Sequence, residues 1–267
     1  MEEYPFKHIE HQVYKNSLLE ETQVAFVFAS AEEDLLVPPS AEEGFPLFFN
    51  RFFKLKHSLD EYLSKDGITI SNKDLGIGYE FGTKYTLLRF GRKKYHSFLE
   101  SVPQFLLPMK WFVFKTLEKQ DVKNLLVRKI NVMPFRIDDL KVFKEKPEIV
   151  LGAVFKKQFL DLKVTKSESD VPGALFDVAD REIRFGHYVL LLRMGIASPK
   201  SGDDRYYVIF DMAIQNDAHE AIDEGKIDSS LLAMNDILFD AFHWCVSDVI
   251  IDMMEKGGLA DEQFTES

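Results

Sequence analysis

The longest helical signal in this chain extends from Ile227 to Lys256. Apolar side chains recur in it at intervals of three and four residues, which places them on one face of an α-helix. The residues of this stripe are Leu231, Met234, Leu238, Ala241, Phe242, Cys245, Val249 and Met253. Asp228, Ser229 and Ser230 are candidate N-caps, and Gly257 supplies a stop. We expect one long helix whose apolar face covers a sheet.

The remaining face of this predicted helix is acidic. It collects Asp236, Asp240, Asp248 and Asp252. An amphipathic helix turns such a face away from the core. We therefore expect these four carboxylates to meet water.

The composition of the chain limits its partners. A net charge of −11 over 267 residues opposes general attraction to nucleic acid or to anionic membranes, which bind through Lys and Arg. Cys245 is the single cysteine, so neither an intrachain disulfide nor a multi-cysteine zinc site is expected. Neither a secretory leader pattern nor an apolar run of ~20 residues is evident, which predicts a cytoplasmic protein.

Strand signals alternate with helical ones along the chain. The predicted strands are Val24–Ala29, Ile68–Ile70, Gly76–Phe81, Lys84–Phe90, Asn124–Met133, Ile149–Lys163, Leu175–Arg184, His187–Ala197 and Tyr206–Gln215. Helices are predicted over Phe45–Leu63 and Lys94–Leu117. We expect Pro103 and Pro108 to bend or break the second into two helical pieces, because proline lacks the N–H that a helix interior needs.

These elements predict an α+β fold with two mainly antiparallel sheets, each with associated helices. The long C-terminal helix is expected on the second sheet. The charged segment Asp138–Pro147 is the best candidate for a boundary between an N-terminal half, residues 1–137, and a C-terminal half, residues 148–267. One continuous domain remains the alternative.

Several short stretches carry a family resemblance. Those near the N-terminus and the centre are Leu18-Leu19-Glu20, Tyr95 with Phe98, and Leu126-Val127-Arg128-Lys129-Ile130-Asn131. Those in the second half are Tyr207-Val208-Ile209-Phe210-Asp211 and the helix from Met234 to Ser247. Together they resemble a sporadically distributed, conserved bacterial family that has no assigned activity. The resemblance implies a bacterial protein, with a link to mobile or defence genes.

The strongest polar cluster in the predicted strands consists of Arg128, Asn131 and Asp211. Polar residues within apolar strands need partners when they are buried. Arg128 and Asn131 are three residues apart, so a regular strand places them on opposite faces. A shared pocket would need a bulge or a strand end. A structural ion pair or cap is the alternative.

A basic patch follows the predicted meander at Arg89, Arg92, Lys93 and Lys94. With aromatic neighbours it could engage an anion or an acidic partner. A solvated turn between a strand and a helix explains the same pattern.

Histidines and nucleophiles show no catalytic or metal-binding signature. No histidine pair has the i, i+4 spacing of zinc hydrolases, and the separation of His8 and His11 by three residues fits chance. No Gly-x-Ser-x-Gly elbow is present. We expect neither a metal nor a cofactor.

Phe239, Trp244 and Ile251 fall outside the main apolar stripe of the long helix. If exposed, they would form an apolar surface for self-association, most simply a homodimer. Coverage of these side chains by preceding loops is the alternative.

The sequence therefore predicts a non-catalytic binding or scaffolding protein that engages a protein partner or itself. The alternative is an enzyme whose site is assembled from distant residues, with Arg128, Asp211 and a histidine as candidates.

Overall fold

The computed structural model describes residues 4–28, 60–64, 67–72, 76–82, 84–91, 97–116, 122–135, 147–160, 176–197, 206–216 and 222–256. The strands in these residues are β1 (Leu19–Phe28), β2 (Asp60–Ser64), β3 (Gly67–Asn72), β4 (Ile77–Gly82), β5 (Tyr85–Gly91), β6 (Val122–Phe135), β7 (Phe176–Phe185), β8 (Tyr188–Ala197) and β9 (Tyr206–Asn216).

The strands of the described residues form one sheet, in the order β2-β3-β4-β5-β1-β6-β9-β8-β7. Every neighbouring pair with a defined register is antiparallel. The prediction of two sheets is therefore wrong. The physical reason is that β1 lies between β5 and β6, and β6 lies between β1 and β9, so one ladder takes strands from both sequence halves.

The helices in the described residues are α1 (Phe98–Trp111), a π-helical turn (Phe112–Thr116), α2 (Pro147–Val154), α3 (Lys157–Leu160), α4 (Glu224–Cys245) and α5 (Asp248–Lys256). Among these helices, none combines the length and the apolar composition that a membrane crossing requires.

The chain divides into two compact units. The first comprises Met1–Glu20, Lys129–Ile214 and Asp236–Ser267, and the second comprises Glu21–Arg128 and Gln215–Asn235. Residues 138–146 of the expected boundary lie outside the described residues. The division into halves 1–137 and 148–267 stays a prediction.

The second unit is built on an antiparallel meander, which confirms the predicted strands from β3 to β5. Helix α1 packs on it through rings, with Phe105 at 5.6 Å from Phe90. The Tyr79 hydroxyl donates a 3.0 Å hydrogen bond to the Phe105 carbonyl. The side chain of Ser97 caps α1 by accepting the Glu100 N–H at 3.2 Å.

Of the bend or break expected at the prolines of α1, the break is wrong, because the helix runs through both Pro103 and Pro108. Because Pro103 has no N–H, the carbonyl of Leu99 has no helical hydrogen-bond donor. Leu99 is 63% exposed, so water can reach this side of the helix. The irregularity comes after the prolines, in the π-helical turn.

One further predicted element and the end of another are wrong. Ile149–Lys163 contains α2 and α3 instead of a strand. Residues 60–63, the end of the predicted helix Phe45–Leu63, belong to β2, and residues 45–59 lie outside the described residues. Short apolar runs such as 149–155 fit a buried strand and a buried helix equally well by periodicity, so pattern alone misassigned them.

The predicted long helix ends early, at Cys245, and a second helix begins at Asp248. Its break pairs with the break between α2 and α3, where Phe155 and Val246 form an antiparallel bridge. The Lys156 N–H donates to the Cys245 carbonyl and the Ser247 N–H to the Val154 carbonyl, both at 2.8 Å. Each break thereby supplies backbone partners that the other helix end lacks.

An aromatic cluster forms the core of the first unit. Phe210 of β9 lies 5.2 Å from Phe155, 5.6 Å from Phe159 and 6.3 Å from Phe242, measured between ring centroids. Phe210 and Phe159 are fully buried. This cluster fixes the inner face of α4 on the sheet. Another side of the helix contacts the N-terminal residues 4–16.

Candidate functional site

The N-terminal segment of residues 4–16, here called the strap, lies along the second half of α4 and on α5. Phe6 is its buried apolar anchor, with its ring 5.7 Å from Trp244 and 6.1 Å from Phe185. The Asn16 N–H donates to the Met254 carbonyl at 3.0 Å. Between these two points the strap is held by polar side chains of α4.

Asp240 is the central anchor of the strap, and its side chain is only 1% exposed. Its carboxylate accepts hydrogen bonds from the Tyr4 hydroxyl at 2.5 Å and from the Ile9 N–H at 2.9 Å. His8 Nδ1 lies 3.3 Å from it. Burial, and next the bond to Asp240, raise the pKa of Tyr4. The expectation that Asp240 faces water is wrong, because the strap covers it.

His11 and Asp236 form a partly exposed pair. His11 Nε2 lies 2.9 Å from Asp236 Oδ1, and the two side chains are 35% and 48% exposed. The imidazole stacks on Phe239 with a centroid distance of 4.2 Å and an interplanar angle of 22°. Burial lowers the pKa of His11, while Asp236 acts in the opposite direction.

Tyr14 and His243 form a second pair, with the Tyr14 hydroxyl 2.6 Å from His243 Nε2. The Gln12 amide donates to the Tyr14 hydroxyl at 3.0 Å and to Glu255 Oε1 at 2.9 Å. Burial raises the pKa of Tyr14 and lowers the pKa of His243. A neutral phenol donating to a neutral imidazole is the form that both shifts favour.

Lys129 of β6 is buried on the same side of its strand as Leu125 and Val127, because burial alternates along β6. Burial lowers its pKa to about 8, and nearby Asp236 partly opposes that change. The ammonium group of Lys129 also depresses the pKa of His11. The site thus joins a buried cation to a partly exposed histidine and carboxylate.

The predicted polar cluster is only partly brought together. Asn131 and Asp211 are both buried in the first unit, and the Asn131 amide donates to the Phe210 carbonyl at 3.4 Å. Arg128 belongs to the second unit and is half-buried, whereas Asn131 is buried. The alternation along β6 places Arg128 and Asn131 on opposite faces, as the spacing predicts.

The basic patch is represented by Arg89 alone, because Arg92, Lys93 and Lys94 lie outside the described residues. Arg89 is exposed on β5 and forms a 2.6 Å ion pair with Glu80. Its guanidinium group therefore already has a carboxylate partner. Anion binding by the patch stays a prediction.

The predicted interface residues are half-buried against the chain itself. His11 and Tyr14 rings lie on Phe239, the latter with a centroid distance of 6.4 Å. Trp244 meets Phe6, and the Arg181 guanidinium lies 5.4 Å from its ring centroid. Ile251 of α5 is also half-buried. The strap thus occupies surface on Phe239 and Trp244 that a second copy was expected to bury.

Most residues of this site were not predicted from the sequence. Asp236, Asp240 and His243 stand on one side of α4 at spacings of four and three, and this row, together with the pair His8 and His11, was the available signal. Within the described part of the chain, no group of three or more His, Cys, Asp and Glu side chains is arranged to hold a metal ion.

No model of a known protein family matches the chain, and no curated protein matches its sequence. The resemblance to a conserved bacterial family therefore stays a prediction.

Proposed function

We propose that this protein acts by binding another protein through the outer side of α1. The observation that carries the proposal is an apolar row, here called the α1 row, formed by Leu99, Pro103 and Leu107. Leu99 is 63% and Leu107 is 48% exposed, and Pro103 between them is also exposed. The spacing of four residues aligns the three side chains along the helix.

The α1 row is not needed to fold the helix. The opposite face already packs Phe98, Val102, Phe105 and Met109 into the core of the second unit. Single exposed apolar residues are ordinary, but aligned ones form a ridge of the kind that packs into a groove of a partner. An exposed ridge on a well-packed helix supports a binding role.

The charge of the chain indicates the chemistry of the partner. A net charge of −11 favours encounter with a basic protein and repels nucleic acid. We place this activity in the cytoplasm of a bacterium, in keeping with the sequence resemblance. A basic protein with an apolar surface is thus the proposed occupant of the α1 row.

The test compares three purified proteins as baits in a bacterial cytoplasmic extract: the wild type, the double variant Leu99→Glu/Leu107→Glu, and the control Val249→Glu. Val249 is 51% exposed but lies on α5, away from the row in sequence. We expect a basic protein that the wild type and the control retain and that the double variant loses at least ~10-fold. Calorimetry with that purified partner should reproduce the difference.

Retention of the same proteins by all three baits would overturn the proposal. A homodimer detected by light scattering, which the double variant dissociates, would replace the basic partner by a second copy. Far-UV circular dichroism must remain unchanged in both variants, since all three substitutions are on the surface.

A second function, catalysis by residues assembled from distant parts of the chain, is favoured by the His11–Asp236 pair. A partly exposed imidazole held by a carboxylate is a recurrent element of acid–base sites. In this proposal His11 and Asp236 replace Arg128 and Asp211 as the reacting and orienting groups.

A further inference from the structure

We infer that His11, oriented by Asp236, is a general base that activates water against an uncharged carboxylic ester. This inference rests on the second proposed function and adds to it the reacting atom and the class of substrate. Four features of the described residues carry it: the tautomer of His11, the fixed ring, its access to solvent, and the charge around it.

The tautomer of His11 is assigned from its contact with Asp236. His11 Nε2 lies 2.9 Å from Asp236 Oδ1. Because an ionised carboxylate only accepts hydrogen bonds, we assign the proton of the neutral imidazole to Nε2. The lone pair of the neutral imidazole is then on Nδ1. Among the described residues, none provides a hydrogen-bond partner for that nitrogen.

The ring is held in place by more than one contact. Phe239 stacks on the imidazole at 4.2 Å and is itself flanked by the ring of His243 at 4.7 Å. The backbone beside His11 is fixed too, because the Ile9 N–H binds Asp240. A base held in one orientation loses little freedom when it accepts a proton.

His11 remains accessible, with 35% of its side chain exposed, whereas His243 is 8% exposed in total. Water and a small substrate can therefore reach the first imidazole and not the second. Burial and the charge of Lys129 lower the pKa of His11, which keeps the imidazole neutral and able to accept a proton near neutral pH.

The surrounding charges select an uncharged substrate. The groups that act on His11 are the carboxylates of Asp236 and Asp240, the ammonium of Lys129 and the imidazole of His8. Asp236 is partly exposed, while Lys129 is buried, so an approaching molecule meets negative charge first. Phosphate and carboxylate substrates are repelled, and an uncharged ester is not.

The proposed step balances without a further reactant. Water gives one proton to His11 Nδ1 while its oxygen forms a bond to the ester carbonyl carbon. The tetrahedral intermediate then collapses, the bond from carbon to the alkoxide oxygen breaks, and the imidazolium returns its proton to that alkoxide. The products are a carboxylic acid and an alcohol, and His11 is regenerated.

The test uses the full chain with p-nitrophenyl acetate as the probe and compares His11→Gln and Asp236→Asn with His187→Gln. His187 is an exposed histidine whose ring lies against Tyr188, with a centroid distance of 4.2 Å, so it is the matched control for background reaction with imidazole. We expect kcat/KM to fall at least ~100-fold in His11→Gln and to be unchanged in His187→Gln. Equal hydrolysis by the wild type and His11→Gln would overturn the inference.

Nitrogen NMR of the unaltered protein separates the two levels of the proposal. If Asp236 is the positioning residue, neutral His11 is protonated on Nε2 in the wild type. In Asp236→Asn it becomes a mixture of the two tautomers. With the Nε2-protonated form present in the wild type but no ester hydrolysis, the substrate class fails and the second function stands. A His11 protonated on Nδ1 at neutral pH overturns both.

Discussion

Helix α1 and the second half of α4 cover sheet surface in the same way but differ on their outer sides. Phe105 of α1 packs on Phe90, and Phe242 of α4 packs on Phe210. Outside, α1 presents the apolar α1 row to water, whereas α4 presents Asp236, Asp240 and His243 to the strap. The α1 row is therefore exposed, while polar anchors let the chain itself cover α4.

The largest expected effect is on the inner side of α1, which should contribute much more to the free energy of unfolding than the outer side. Phe105→Ala should lower the free energy of unfolding by ~3–5 kcal/mol, because a ring that is 7% exposed leaves a cavity in the core. Leu107→Ala, two residues away and 48% exposed, should change it by no more than ~0.5 kcal/mol. Urea unfolding measures both, and similar losses would erase the distinction.

The second prediction concerns the buried cation of β6, Lys129. The pKa of Lys129 falls from 10.5 to about 8 on folding, so below the lower value both states are protonated and the full cost of burying the charge is present. As pH rises through that value the folded state releases its proton first, and stability increases. A lowering of this size corresponds to on the order of 3 kcal/mol.

Urea unfolding between pH 7 and pH 9 checks this sign. At higher pH, Cys245 and then Tyr4, Tyr14 and Tyr79, whose pKa values burial raises, begin to destabilise the fold. Lys129→Met should remove most of the rise and should be neutral or stabilising at pH 7. A stability that is independent of pH in the wild type would contradict a buried, charged Lys129.

The third prediction addresses the polar anchors directly. Asp240→Ala removes the acceptor of the Tyr4 hydroxyl and of the Ile9 N–H, and should cost about 2 kcal/mol. Hydrogen exchange of residues 4–14 should rise with it. Asp252→Ala, at an exposed ion pair with Lys256, should leave both measurements nearly unchanged. An unchanged strap in Asp240→Ala would mean that Phe6 and Trp244 hold it alone.

The smallest expected effect concerns buried hydroxyl groups that have no hydrogen-bond partner among the described residues. Thr22 and Thr86 are fully buried in the second unit, and neither hydroxyl finds a hydrogen-bond partner in the described residues. Thr86→Val keeps the shape and removes a desolvated hydroxyl, so it should stabilise the protein by about 1 kcal/mol. Thermal unfolding of this variant tests the difference, and a loss of stability would indicate an unseen partner.

Local patterns predicted much of the secondary structure but not how the strands assemble. The strands from β3 to β5 and from β7 to β9 follow alternation and turn residues, which act over a few positions. One sheet instead of two depends on the pairing of β1 with β6 and of β6 with β9, which no local pattern encodes. The break at Ser247 likewise depends on Val154, 93 positions away in the numbering.

The candidate site escaped prediction for a similar reason. The row of Asp236, Asp240 and His243 was visible, yet its expected partner was water, because an amphipathic pattern does not reveal which distant segment covers a helix. His8 and His11 gave no metal-ligand spacing. Their function as anchors follows from the contact of His8 with Asp240, 232 positions away, and that of His11 with Asp236, 225 positions away.

The strap imposes a timing on biosynthesis. Tyr14 binds His243, 229 positions later in the chain, and Tyr4 binds Asp240, 236 positions later. At ribosomal rates of ~5–20 residues per second, the strap waits roughly 10 to 50 s in the cell before its binding surface on α4 has been made. During that interval Phe6 and its neighbours are open to chaperones and to passing chains. The strap therefore takes its place only after α4 has been synthesised.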